Sequence, residues 1–305
     1  MSHRPDRTFS STVTALSMLV AVAIPGAALG SEPEGSEYHT GLILSKPERL
    51  RSLPLAPVYT DYIPARIDLS SHLPPVGDQG KIGSCAAWAT GYAARTYYVA
   101  WLEGRDVTKP ANIPSPEFIY DSANDKPGDC DNGASIPDIM DMLQNGGTPS
   151  LADAPYDDEK MAKAKCVRPD AEENQRKRDF FLESWYYLDM STLDQIKAEL
   201  TQGNPVVIGM NIGHSFMVHP QGAVYQGEWK GYYSASYRRR VPDPQQLGGH
   251  ALAIVGFDDD RQAFKLVNSW GGDWADHGFA WVSYKVALDS DMLKEAYSMR
   301  PARPR

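Results

Sequence analysis

The spacing of hydrophobic residues changes about two thirds of the way along the chain. Before Pro205, apolar positions recur at helical spacing in segments 85–101, 135–144 and 193–200, and in a segment that starts at Ser115. After Pro205, short runs rich in branched and aromatic residues predict strands in VVIGMNI, ALAIVGF, AFKLVNS and FAWVSY. Helices followed by strands favour an α+β fold with two segregated lobes, and a cleft between lobes is a common ligand site.

Local signals predict where these helices begin and end. Ser115, followed by proline and glutamate, is typical of a capped helix start. The helix over 135–144 should stop at the glycines that begin with Gly146. For the helix over 193–200 we expect Ser191 or Thr192 to be the cap.

The first thirty residues predict a secretory signal peptide. Arg4 and Arg7 precede the apolar run TVTALSMLVAVAI, and small residues place a cut after Gly30. The apolar run is too short for a comfortable membrane span. Residues 31–62 are polar and rich in proline, which indicates a leader or linker, and residues 63–305 are expected to form the folded domain. Its helical lobe should cover about 80–200 and its β lobe about 201–300.

Composition narrows the choice of partners. The hydrophobic fraction of 42% is ordinary for a soluble globular protein. The 30 basic and 39 acidic residues give a net charge of −9, which argues against a nucleic-acid binder. We expect a secreted or periplasmic monomer that makes no membrane contact once the signal is removed.

One cysteine stands at the start of a predicted helix, in PPVGDQGKIGSCAAWAT. The amino end of a helix stabilises a thiolate, the reactive form of cysteine, so Cys85 is a candidate nucleophile. Taken alone, a small buried cysteine with a purely structural role is the commoner case. Gln79, six residues earlier, is placed to donate to a developing oxyanion together with the N–H of Cys85.

A cysteine nucleophile needs a base and a group that orients the base. Among seven histidines, His250 lies behind two glycines at the entry to the strand in GGHALAIVGF. Asn268 ends the next strand, in LVNSWGGDW. Two adjacent antiparallel strands would bring these side chains next to each other.

The order Gln79, Cys85, His250, Asn268 resembles that of the papain-like cysteine peptidases. The motifs QGKIGSC, GGHALAIVGF and NSWGGDWADHGF carry the resemblance, which extends from about Pro64 to Tyr284. It implies a two-lobed fold in which a helical lobe and an antiparallel sheet or barrel enclose the active-site cleft. It also implies peptide hydrolysis through a thioester, with protein or peptide substrates and neither a metal nor a cofactor.

The resemblance assigns roles to individual residues. Gln79 corresponds to the oxyanion donor, Cys85 to the nucleophile, His250 to the base and then acid, and Asn268 to the residue that orients the histidine. Trp270 resembles the tryptophan that shields the histidine–asparagine bond. The residues expected to line the substrate cleft are Gly83, Ser84, Gly133, Ala134, Gly249 and Trp270.

The chain departs from the family pattern near these motifs. Ile82 stands where the family commonly has a cysteine, and Ala86 replaces the usual aromatic residue. Cys130 and Cys166 resemble family half-cystines whose usual partners are missing, so we expect them to form a rearranged disulfide. Residues 31–62 leave too little room for a long inhibitory propeptide, so either a short leader blocks the cleft or the protein is active on export.

Two other functions use the same residues. A transferase or peptidoglycan amidase would share the thioester and differ in the acceptor, and a catalytically silent binding protein would use only the cleft. The insertion at 219–247 has no assigned role. Its three arginines, 238–240, are expected to lie in a solvated loop.

Overall fold

The computed structural model describes residues 38–176, 178–227 and 249–302. The predicted signal peptide, the leader up to residue 37 and most of the 219–247 insertion lie outside these residues. Residues Glu37–Arg305 form one compact unit. Within the described ranges no helix is long and apolar enough to cross a bilayer.

The longest helical run covers residues 85–101 and is called α2. It consists of an α-helical turn at Cys85–Ala87, a π-helical segment at Trp88–Arg95 and an α-helical end at Thr96–Trp101. The other α-helices of the described ranges are α1 (Pro47–Leu50), α3 (Pro116–Ala123), α4 (Ile136–Gly146), α5 (Asp158–Ala164), α6 (Ala171–Asn174), α7 (Asp194–Thr201), α8 (His214–Met217) and α9 (Tyr284–Ala287).

A twisted sheet forms the rest of the unit. Its strands are β1 (Arg66–Asp68), β2 (Leu182–Tyr187), β3 (Val206–Asn211), β4 (Val224–Tyr225), β5 (Gly249–Asp258), β6 (Ala263–Val267), β7 (Phe279–Ser283) and β8 (Leu293–Pro301). The strand order is β2-β8-β3-β5-β6-β7-β4, and β1 pairs with β5. All pairs are antiparallel except β4 with β7.

The predicted helices are confirmed, and so is Ser115 as the cap of α3, whereas the cap of α4, Ser135, was not predicted. Ser115 accepts a hydrogen bond from the N–H of Phe118, and Ser135 accepts one from the N–H of Asp138. The expected cap of α7 is wrong by one or two positions. Leu193 occupies the cap position and provides no side-chain hydrogen bond, although Thr192 accepts from the N–H of Asp194.

The sheet contains more strands than the hydrophobic pattern predicts. All four predicted strands are present, as β3, β5, β6 and β7. The pattern does not predict β2, which precedes Pro205 and pairs with β8 at the edge of the sheet. It also misses β8 itself, which lies between β2 and β3.

Helix α2 packs its first turn directly against the sheet. Cys85, Ala86 and Ala87 are fully buried and share a hydrophobic cluster with Val207 of β3 and Ala251 of β5. Small side chains let the helix backbone approach the strands closely. The start of α2 therefore lies against the end of β5 that carries His250.

Candidate active site

The Cys85 sulfur lies between the start of α2 and the strand β5. The side chain is fully buried, and backbone groups that include those of Ala251 and Gly41 act on the sulfur to lower its pKa. Burial nevertheless dominates and raises the pKa of the Cys85 thiol to about 12. The sulfur of this state is a neutral thiol, whereas the sequence favoured an activated thiolate.

His250 is held by its neighbour in the adjacent strand. Its Nε2 lies 2.8 Å from Oδ1 of Asn268, as the predicted pairing of β5 and β6 requires. Because an amide oxygen only accepts, Nε2 carries the hydrogen in this bond, and the lone pair of the neutral ring is on Nδ1. Nδ1 is buried and has no hydrogen-bond partner among the described residues. It is therefore the ring atom left free to take a proton.

Trp270 covers the His250–Asn268 pair. Its ring stacks on the imidazole with a centroid separation of 4.5 Å and an interplanar angle of 23°. Burial lowers the pKa of His250 to about 4, although the hydrogen bond that the imidazole donates to Asn268 opposes the shift. Near neutral pH the buried imidazole is uncharged, like the thiol.

Gln79 joins the loop before Cys85 to the loop after β6. Its Nε2 donates to the carbonyl of Ile82 at 2.9 Å, and its Oε1 accepts from the Ser269 hydroxyl at 2.7 Å. The Tyr156 hydroxyl donates to the Gln79 carbonyl at 2.7 Å and lies 2.8 Å from the Ser84 hydroxyl. Sequence reasoning missed Ser269 and Tyr156: Ser269 lies inside the NSWGGDW motif but was given no role, and Tyr156 lies outside the three motifs.

Residues 38–45, here called the leader strand, pass through the predicted cleft. Leu42 donates from its N–H to the Gly249 carbonyl at 3.0 Å. The N–H of Ala134 donates to the Gly41 carbonyl at 2.9 Å, and the N–H of Ile43 donates to the Ala134 carbonyl at 3.1 Å. These backbone bonds fix the leader strand on both walls of the cleft.

Glycines make this close approach feasible. A Cβ placed on Gly41 would lie 2.0 Å from the carbonyl oxygen of Gly83, and one on Gly133 would lie 1.9 Å from the carbonyl oxygen of Gly41. The predicted cleft residues Gly83, Gly133, Ala134 and Gly249 thus all surround the leader strand. The side chain of Ser84, by contrast, bonds Tyr156.

The leader strand also reaches the groups around His250. The carbonyl of His39 accepts from Gln79 Nε2 at 3.2 Å and from Trp270 Nε1 at 3.0 Å. The ring of Tyr38 stacks on Trp270 with a centroid separation of 4.8 Å. The amide predicted to stabilise an oxyanion is therefore occupied by a leader carbonyl.

The expected disulfide between Cys130 and Cys166 is confirmed, and Cys85 is the free cysteine. The Cys130 carbonyl accepts from the N–H of Gly83 at 2.9 Å. The disulfide-bonded loop thereby supports the turn that leads into Cys85.

Comparisons with known proteins agree with this arrangement. The family model described as papain family cysteine protease matches residues 63–299. A peptidase C1-like protein of Acanthamoeba polyphaga mimivirus is 27% identical over 230 residues, which are 72% of this chain and 67% of that protein. A cathepsin B-like protein of Giardia intestinalis is 29% identical over 215 residues, which are 68% of this chain and 63% of that protein. The chain thus spans about two thirds of the length of these relatives.

A solved structure shows the same fold. Xylellain, a cysteine protease from Xylella fastidiosa, superposes with a TM-score of 0.67 at 23% identity, covering 88% of this chain and 97% of xylellain. At that identity the likeness concerns the fold.

Proposed function

Because the chain belongs to the papain family of cysteine proteases, we propose that it is an exported endopeptidase that is held inactive by its leader strand. The residues proposed to carry the reaction are Cys85, His250, Asn268 and Gln79. The observation that carries the proposal is the hydrogen bond of 2.8 Å between Nε2 of His250 and Oδ1 of Asn268. This bond leaves Nδ1 of His250 without a hydrogen-bond partner among the described residues. The next residue of the same strand, Ala251, acts through its backbone on the Cys85 sulfur.

The proposed reaction begins with transfer of the thiol proton to Nδ1 of His250. The sulfur then attacks the peptide carbonyl carbon, and the developing oxyanion accepts hydrogen bonds from Gln79 Nε2 and from the N–H of Cys85. As the C–N bond breaks, Nδ1 returns its proton to the leaving amine, and a thioester remains. Water gives a proton to Nδ1 and attacks the thioester, the C–S bond breaks, and the thiol is restored.

Neutral forms of both groups support the proposal that the leader-covered state is inactive. The pKa of about 12 for Cys85 and of about 4 for His250 both result from burial, so neither group ionises at neutral pH. Departure of the leader strand would admit water to the cleft. Water reduces the pKa shifts of Cys85 and His250 and so favours a thiolate–imidazolium pair. The departure would also free the Gln79 amide.

Export is supported by the predicted signal peptide and by the disulfide. Disulfides persist in oxidising compartments and are rare in the cytosol. The Cys130–Cys166 bond fits a secreted or periplasmic protein.

The test uses protein that has been folded as the full chain and then cut within residues 51–62. Leu55, Val58 and Tyr62 are exposed in this segment, so an immobilised protease can cut there and be removed. This processed protein is expected to cleave internal bonds of quenched peptides whose termini are both blocked. In the same assay Gln79→Ala should lower kcat about a hundredfold, because one oxyanion donor is lost.

Gln144→Ala is the matched control, since Gln144 is exposed and, in the part of the chain that the structure describes, its side chain bonds the Glu183 carbonyl away from the cleft residues. It is expected to keep the wild-type kcat. Release of terminal residues alone, from unblocked peptides, would contradict endopeptidase activity. An unchanged kcat in a folded Gln79→Ala variant would contradict the role of the amide.

A further inference from the structure

One side chain from outside the turn at residues 79–85 bonds both ends of that turn. The Tyr156 hydroxyl donates to the Gln79 carbonyl at 2.7 Å and lies 2.8 Å from the Ser84 hydroxyl. A phenol has one hydrogen and a carbonyl only accepts, so that hydrogen goes to Gln79, and Ser84 is the donor in the second bond. The phenol thereby joins the residue that supplies the oxyanion amide to the residue that precedes the nucleophile.

Ser84 gives its hydroxyl to this contact although it occupies the cap position of α2. The side chain is fully buried, and within the described ranges it accepts no hydrogen bond from an N–H of the helix. A serine at this position ordinarily accepts from an N–H two or three residues later. The Ser84 hydroxyl therefore bonds Tyr156 and leaves the helix uncapped by its side chain.

The backbone next to Tyr156 follows the same turn. Asp158, at the start of α5, accepts from the N–H of Lys81 at 3.1 Å through Oδ2. Gly80 permits this approach, because it has a φ of +53° and a Cβ there would lie 2.2 Å from that oxygen. The Tyr156 ring also meets Trp88 edge-on, with a centroid separation of 4.9 Å. These contacts should keep the ring in place when its hydroxyl is removed.

The direction of the Gln79 amide depends on where the Gln79 backbone lies. One hydrogen of Nε2 goes to the Ile82 carbonyl, and the other goes to the His39 carbonyl at 3.2 Å in the leader-covered state. The oxyanion would take the place of the His39 carbonyl. Ser269 bonds the side-chain oxygen and the N–H of Gln79, whereas Tyr156 bonds the Gln79 carbonyl. A donor that stabilises an oxyanion has to be held in position before the charge develops.

We propose that Tyr156 is a positioning residue for the oxyanion site and that it acts through Gln79. The inference rests on the proposed peptidase function. Burial raises the pKa of the Tyr156 phenol, so at neutral pH the hydroxyl keeps its hydrogen and remains a donor. Because the oxyanion develops only in the transition state, the contribution of Tyr156 belongs to kcat and leaves KM unaffected.

The test is a double-mutant cycle that removes the hydroxyl alone. Tyr156→Phe is made in the wild type and in the Gln79→Ala variant, and kcat and KM of the processed protein are measured on the blocked peptides near pH 7. In the wild type we expect kcat to fall about threefold to tenfold, the scale of one hydrogen bond, with KM unchanged. In the Gln79→Ala variant, which has no amide to position, kcat should fall by less than about twofold.

Tyr92→Phe is the matched control, since the Tyr92 hydroxyl also donates to a backbone carbonyl, that of Pro75, at 2.9 Å. It should keep the wild-type kcat. If Tyr156→Phe does not fold, 4-methylphenylalanine at position 156 fills the space of the hydroxyl without a donor, and the same two comparisons decide.

Two results would overturn the role of Tyr156 and leave the peptidase function intact. One is an unchanged kcat when the hydroxyl is removed from the folded wild type. The other is an equal fall in kcat in the two backgrounds, since a residue that only stabilises the fold would act independently of Gln79. If the wild-type processed protein cleaved no peptide, both the proposed function and this assignment would fail.

Discussion

Replacing Cys85 by alanine is expected to abolish peptide hydrolysis by the processed protein. Without the sulfur no thioester forms, and kcat should fall on the order of a million-fold, the scale for removing the nucleophile of a hydrolase that works through an acyl intermediate. Alanine already occupies the next two positions in the same buried turn. The fold should therefore persist, which a melting curve would show.

The matched control for this substitution is Thr90→Ala. Thr90 is also fully buried in α2, and its hydroxyl has no hydrogen-bond partner among the described residues. This variant should hydrolyse peptides at nearly the wild-type rate. Residual activity of Cys85→Ala above a thousandth of the wild-type rate would show that another group carries the reaction.

The substitution Gly41→Val is expected to open the cleft of the uncut chain. The added Cβ would collide with the backbone of Gly83, which cannot move aside as a side chain can. Overpacking of this kind costs about 1–3 kcal/mol. The leader-covered state should be destabilised accordingly. The rate of Cys85 alkylation by iodoacetamide, and peptide hydrolysis with it, should rise about tenfold to a hundredfold.

The matched control is Gly146→Val, the same substitution at a glycine where an added side chain meets no close neighbour. The nearest atom to an added Cβ there is a guanidinium nitrogen of Arg178 at 4.0 Å. This control should leave the alkylation rate of Cys85 unchanged. Equal rates for the two variants would mean that the leader strand does not shield the sulfur.

The helices were predictable because their signals are local. Ser115 and Ser135 each bond an N–H three residues later, so the cap and its partner lie within one turn. The strands β2 and β8 were missed because their stability depends on distant pairing. Trp185, for example, is opposite Met299 in this pair, and neither segment alternates clearly enough to show it.

The grouping of Gln79, Cys85, His250 and Asn268 around one cleft was inferred from three short motifs. The motifs place these residues at the start of a helix and at the ends of paired strands. Once the fold is known, the relative positions of the four side chains follow. The position of the leader strand was left open, because its polar and apolar residues have no marked periodicity. Its course is set by tertiary contacts with the cleft glycines, such as Gly83.

The ionisation state of Cys85 shows where local reasoning fails. A position at the start of a helix favours a thiolate, and this was the expectation from sequence. In the structure, desolvation outweighs that effect and raises the pKa of the thiol. Gly41 of the leader strand acts on the sulfur in the opposite direction and lowers this pKa, and no local signal in the sequence reveals that this segment lies near Cys85.

The central claim is that the Cys85 sulfur carries the acyl group of a covalent intermediate once the leader strand has left. The most direct measurement is acid quenching of the processed protein during turnover of a peptide ester, followed by proteolytic mapping and mass spectrometry. We predict one acyl group per chain, on the peptide that contains Cys85, and none on the uncut protein. An acyl group on any other residue, or equal acylation of the cut and uncut forms, would contradict the account.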